Sequence, residues 1–140
     1  DFKETLAITR EMLANHKEKN RIHLQATDLT KDSFGTNMDA VLLSDVLYDE
    51  AMAGPILQNT WNCLRLNGLL IIRGYYSDAQ NMKPLFGALF VLNMMTFDSN
   101  RKVITLQTLP EIVCRAGFAI MQKSALTERS FLLIAKKVKT

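Results

Sequence analysis

Two periods of apolar and polar alternation run along this chain, and the switches between them mark out its elements. Residues 3–18 place Leu6, Ile8, Met12 and Leu13 on one side with charges elsewhere, which predicts a helix. Arg21 to Thr27 alternates Ile22, Leu24 and Ala26 against His23 and Gln25, the pattern of a strand near a sheet edge. A polar loop follows to Asn37. Met38 to Leu43 is a short apolar run of the kind found in strands buried on both faces. Ser44, Asp45, Tyr48, Asp49 and Glu50 then crowd the carboxyl end of that strand. Ile56, Leu57, Thr60, Trp61, Leu64 and Leu66 fall at helical spacing, with Asn67-Gly68 predicted to end the helix.

A second β run occupies residues 69–74. Tyr75 to Pro84 reads as a loop, and Leu85 to Met95 is a strongly apolar segment interrupted only by Gly87 and Asn93, as in a core helix. Leu106 to Arg115 predicts a short helix closed by Gly117, and residues 119–124 and 131–138 predict two closing strands. Alternating helices and strands argue an α/β layered domain. In open sheets of that class, ligands sit beyond the carboxyl ends of the strands, so the polar corner at 44–50 is the first place to look for chemistry.

Composition narrows the picture. The chain has 140 residues, 48% hydrophobic and 22% charged, which suits one globular domain. Its net charge of +3 is too small to imply nucleic acid. Cys63 and Cys114 have no CxxC spacing and no histidine neighbours, so both read as buried, reduced core cysteines of a cytoplasmic protein. No apolar run reaches ~18 residues, so no membrane partner is expected. There is no GxGxxG, P-loop, HExxH or GxSxG, and His16 and His23 alone make no metal site.

The ordered motifs carry more than any one of them. Asp1-Phe2 ahead of a helix, RIHLQATDL at 21–29, MDAVLLSDVLYDE at 38–50, LRLNGLLII at 64–72, NMMTFD at 93–98 and RAGF at 115–118 follow one another over nearly the whole chain. This series resembles the carboxyl-terminal part of the catalytic domain of S-adenosylmethionine-dependent small-molecule O-methyltransferases, the group that includes plant phenolic, polyketide and bacteriochlorophyll-type enzymes.

The resemblance implies a Rossmann-like sheet with helices on both faces. The last strand should insert antiparallel beside the strand at 69–74. It also implies S-adenosylmethionine as cofactor and methyl transfer to an oxygen, or to a carbon, of a small aromatic or polyketide-like acceptor. Asp1 would accept from the ribose hydroxyls, which suits a carboxylate because it accepts two hydrogen bonds at once. Asp28 would take the adenine amino group, Leu29 would pack on the ring, and Ser44 and Asp45 would face the methionine end. Tyr48, Asp49 and Arg73 would form the catalytic corner. Phe90, Asn93, Met94 and Phe97 would line a pocket for a flat acceptor, a role that suits conformable methionine.

Departures from the family pattern carry their own implications. Its glycine-rich first strand would lie before Asp1, so the chain reads as truncated at the N-terminus, with an exposed edge at Met38–Leu43 inviting homodimerisation. The family's general-base histidine is Tyr48 here, and its two supporting carboxylates fall at Arg73 and Leu106. A tyrosine serves as a base near neutrality only if a neighbouring cation depresses it, and Arg73 is the candidate cation. The rival expectation is a catalytically inactive structural or interaction remnant of the fold.

Overall fold

A computed structural model of the chain describes residues 2–78, 80, 82–97 and 101–138. The opening helix α1 spans Lys3–Leu13 and buries Leu6. After a single 3-10 turn at Lys19–Arg21, the chain runs without regular structure to β1, Met38–Ser44. Helix α2 spans Glu50–Cys63 and strand β2 Leu64–Gly74. Helix α3 covers Leu85–Phe97 and α4 Thr108–Arg115, and strands β3, Phe118–Ala125, and β4, Phe131–Lys137, complete the order.

The sheet runs β1-β2-β4-β3. β1 and β2 are parallel, as a helical crossover requires, and β4 lies antiparallel between β2 and β3. The final strand therefore stands beside the strand at 69–74, with Leu70 opposite Ala135 and Ile72 opposite Leu133. Those four side chains are fully buried and form the floor of the core with Leu43. Helix α2 presents Ala53, Ile56, Leu57 and Thr60 to it, and α4 adds Leu109, Ile112 and Val113. The opposite face is less well covered, with Leu42 61% exposed and Ile71 and Ile134 half-buried.

Three expectations need correcting. Residues 21–27 form no strand: Ile22 is extended, but the segment pairs with nothing in the sheet, and among the described residues the outer edge of β1 is open. Asn67-Gly68 does not end a helix. Helix α2 stops at Cys63, and the pair forms an irregularity inside β2, where Met38 faces Leu64 but Ala40 faces Leu69. Asn67 takes φ +64 there, and a Cβ on Gly68 would stand 2.9 Å from the Arg65 carbonyl oxygen. Finally, Cys63 is buried but Cys114 is exposed on the outer side of α4.

The apolar segment at 85–95 is helical, and Gly87 lets it pack closely. A Cβ there would meet the Tyr76 carbonyl oxygen at 2.5 Å. Leu85, Leu89 and Leu92 remain exposed. No helix among the described residues is long and apolar enough to cross a membrane.

Candidate active site

The corner after β1 is fastened from three sides. Asp45 turns back at φ +56 and donates its N–H to the Arg73 carbonyl at 3.0 Å, extending the β1–β2 ladder by one bond. Tyr76, itself buried, donates its hydroxyl to the Leu47 carbonyl at 2.8 Å. The segment 102–104 then pairs with 48–50: the Ile104 N–H donates to the Tyr48 carbonyl at 2.8 Å and the Glu50 N–H to the Lys102 carbonyl at 2.9 Å. These bonds fix where Ser44, Asp45, Tyr48 and Asp49 can point.

They point into an open cleft of about 730 Å³ along the carboxyl end and outer edge of β1. Asp28, Leu29, Ser44, Asp45, Tyr48 and Met94 all line it. Segments widely separated in sequence are thus brought to one concavity, the usual form of a small-molecule site.

Each side chain has a measurable state. Asp28 accepts from the Thr30 N–H at 2.9 Å and its hydroxyl at 2.6 Å, and pairs with Lys31 at 3.3 Å. The Thr30 bonds, and after them Lys31, hold its carboxyl below the usual carboxylate range. Leu29 packs against the core, and its carbonyl accepts from Asn59 at 3.0 Å. Ser44 donates to Asp45 at 3.3 Å. Asp49 is spent on structure: its Oδ1 caps α2 through the Ala51 N–H at 2.9 Å and its Oδ2 pairs with Arg101 at 3.3 Å.

Arg73 pairs with Asp45 and donates to the Tyr75 hydroxyl at 2.8 Å, with its guanidinium 4.6 Å from the Tyr75 ring centre. Tyr48 is pushed up to about 12, first by burial and then by Tyr75. The recorded partners of Arg73 are therefore Asp45 and Tyr75, and the environment of Tyr48 favours the protonated phenol.

The acceptor-side expectations divide. Met94 lines the cleft. Phe90 is not among the lining residues; it backs Tyr48 with ring centres 4.8 Å apart. Asn93 is exposed on α3 and does not line the cleft, and its backbone carbonyl accepts from the Thr96 hydroxyl. The Phe97 side chain and Asp1 lie outside the described residues.

Sequence reasoning missed Thr27 and Arg101, both in the cleft wall. Thr27 lies within the 21–29 motif but next to the more conspicuous Asp28, and Arg101 belongs to no motif. Arg101 enters only because residues 102–104 are tied to the corner, and its Nε is buried without hydrogen-bond geometry to Asp49. Thr27 Oγ1 and Asp45 Oδ1 are likewise buried without a hydrogen-bond partner. The carboxylates of Asp28 and Asp45 stand in the cleft lining among mainly apolar side chains, and carboxylates accept from hydroxyl and ammonium groups. The cleft therefore fits a ligand that joins such groups to apolar surface, and S-adenosylmethionine does so. Among the described residues no group of His, Cys, Asp and Glu is placed to hold a metal ion.

A mixed sheet of four strands with a cleft beyond the carboxyl end of a parallel strand makes this a Rossmann-like α/β domain with a ligand site in the place that class uses. The O-methyltransferase domain model matches residues 1–119, and the chain belongs to that family. A comparison with curated proteins finds no match.

Solved structures agree on the fold. A candidate O-methyltransferase from Nostoc punctiforme superposes with a TM-score of 0.87 at 24% identity, over 98% of this chain and 43% of its own. An O-methyltransferase family 2 protein from Planctomyces limnophilus, solved with apigenin, gives 0.83 at 23% over 99% and 41%. Human N-acetylserotonin methyltransferase, solved with S-adenosylmethionine, gives 0.80 at 20% over 99% and 39%. The chain thus spans about two fifths of the length of each.

Proposed function

We propose that the cleft is the donor and acceptor site of an S-adenosylmethionine-dependent methyltransferase acting on an oxygen of a small, flat aromatic or polyketide-like molecule. The observation that carries this reading is the convergence of Asp28, Leu29, Ser44, Asp45 and Tyr48 on one cleft beyond the carboxyl end of β1.

Bound S-adenosylmethionine supplies an activated methyl group, so the protein's work is placement and the handling of one proton. Asp28 and Leu29 hold the adenine end, and Ser44 and Asp45 the methionine end. Tyr48 and Met94 shape the acceptor side. A phenol favoured in its protonated form donates rather than accepts, so Tyr48 orients the acceptor oxygen by hydrogen bonding; as the methyl–sulfur bond breaks and the methyl–oxygen bond forms, the acceptor's proton passes to water in the open cleft.

One observation favours the inactive alternative. The Asp28 carboxylate is already engaged by Thr30 and Lys31, as expected of a residue that only builds a turn. Calorimetry with S-adenosylhomocysteine separates the two. Micromolar binding supports the enzyme, and methyl transfer to a panel of phenols then identifies the acceptor class. No heat at millimolar ligand rejects the site and leaves a structural domain.

A further inference from the structure

Asp45 and Tyr48 line the cleft, whereas Arg73 and Tyr75, which lie between them in the contact network, do not. Asp45 Oδ2 is paired with Arg73, while Oδ1 stays buried without a hydrogen-bond partner. The backbone at φ +56 and the N–H bond to the Arg73 carbonyl fix where the side chain starts, and the Ser44 hydroxyl and the Arg73 guanidinium both hold Oδ2. The turn of the carboxylate is therefore set chiefly by the charged partner, Arg73.

That guanidinium is in turn held by Tyr75, through the hydroxyl at 2.8 Å and the ring face at 4.6 Å. The Tyr75 ring packs on Phe86 at 4.9 Å and on Phe90 at 5.8 Å, and Phe90 packs on Tyr48 at 4.8 Å. A continuous series of packed groups therefore joins the carboxylate on one side of the cleft to the phenol on the other.

We infer that Tyr75 is a positioning residue that couples Asp45 to the acceptor wall at Tyr48, acting through Arg73 on one side and Phe90 on the other. This rests on the reading of the cleft as a methyltransferase site. Both ends of the series can be disturbed by a ligand, and rings packed this closely transmit a shift rather than absorb it. An acceptor pressing on Tyr48 thus alters how firmly Asp45 is aimed at the cofactor, and by linkage the cofactor alters the acceptor wall.

The test is a double-mutant cycle read by calorimetry with S-adenosylhomocysteine, using the unaltered protein, Tyr75→Phe, Asp45→Asn and the pair. Tyr75→Phe keeps the ring stack and removes only the hydroxyl that holds Arg73. It should weaken binding about threefold to tenfold with little change in melting temperature. In the pair, the loss should be no larger than in Asp45→Asn alone, because Tyr75 acts on the ligand only through that carboxylate. Additive losses, or unchanged affinity in Tyr75→Phe, overturn the coupling and leave the cofactor site standing. No binding by the unaltered protein overturns the cofactor site itself, and the coupling with it.

Discussion

The Lys137 ammonium lies 3.8 Å from the centre of the Trp61 ring and donates to the carbonyl oxygens of Trp61 and Leu64, both at 2.6 Å. One side chain on the sheet's third strand position thereby closes the end of α2, where helix carbonyls lack partners and the dipole favours a cation. Lys137→Met keeps most of the stem and removes the donor. It should cost about 1–2 kcal/mol, seen as a lower urea midpoint at constant slope.

Gly117 meets the same indole at its Nε1 edge. It follows α4 at φ +91, and a Cβ there would stand 2.9 Å from Trp61 Nε1. Gly117→Ala combines an unfavourable backbone conformation with a steric clash, for a loss of about 1–3 kcal/mol. Thermal unfolding measures it, and restored stability in Gly117→Ala with Trp61→Phe would assign part of the loss to the indole contact.

Tyr48→Phe should leave affinity for S-adenosylhomocysteine unchanged and lower turnover about tenfold to a hundredfold. Its effect should be the same at every pH near neutrality, because the phenol is pushed up to about 12. A pH–rate profile that loses an ionisation near neutrality in this variant would show instead that Tyr48 works as a base.

The same shift makes the fold sensitive to alkali. Near pH 10 the unfolded chain releases the Tyr48 proton while the folded chain keeps it until about 12. Stability is therefore full below the ordinary tyrosine value and falls as pH rises between the two. Tyr76, raised by burial and then by Tyr48, acts in the same direction. Denaturant midpoints between pH 9 and 12 should fall, and the fall should be shallower in Tyr48→Phe.

Asp28→Ala removes the acceptor that shapes residues 28–32 and should weaken S-adenosylhomocysteine binding about tenfold. Calorimetry reads the change, and normal binding would remove Asp28 from the cofactor wall.

Much of the sheet is legible in the pattern of residues, because Leu43, Leu70, Ile72, Leu133 and Ala135 belong to strands whose burial dictates apolar runs. The failures share a cause: local signals lost to tertiary context. Ile22, Leu24 and Ala26 alternate correctly, but a strand also needs a neighbour, and the segment has none in this sheet. Asn67-Gly68 carries a turn signal that β2 absorbs as an irregularity. The position of Asp49 after a strand does not reveal that its two oxygens are engaged, one by the α2 cap and the other by Arg101. Arg101 is invisible for the converse reason: only the backbone pairing of 102–104 with 48–50 carries it to the cleft.

The position of β4 between β2 and β3 bears on how the protein is made. During synthesis, β1, β2 and β3 all leave the ribosome before β4, the strand that joins β3 to the other two, exists. Until residues 131–137 emerge, β2 has one open side, β3 has no partner, and Leu70 and Ile72 lack Ala135 and Leu133 opposite them. The nascent chain must wait with two unsatisfied β edges, the condition in which chaperones are most needed. A chain interrupted before Phe131 would therefore leave an assembly that never acquires its keystone, and quality-control proteases would be expected to clear it.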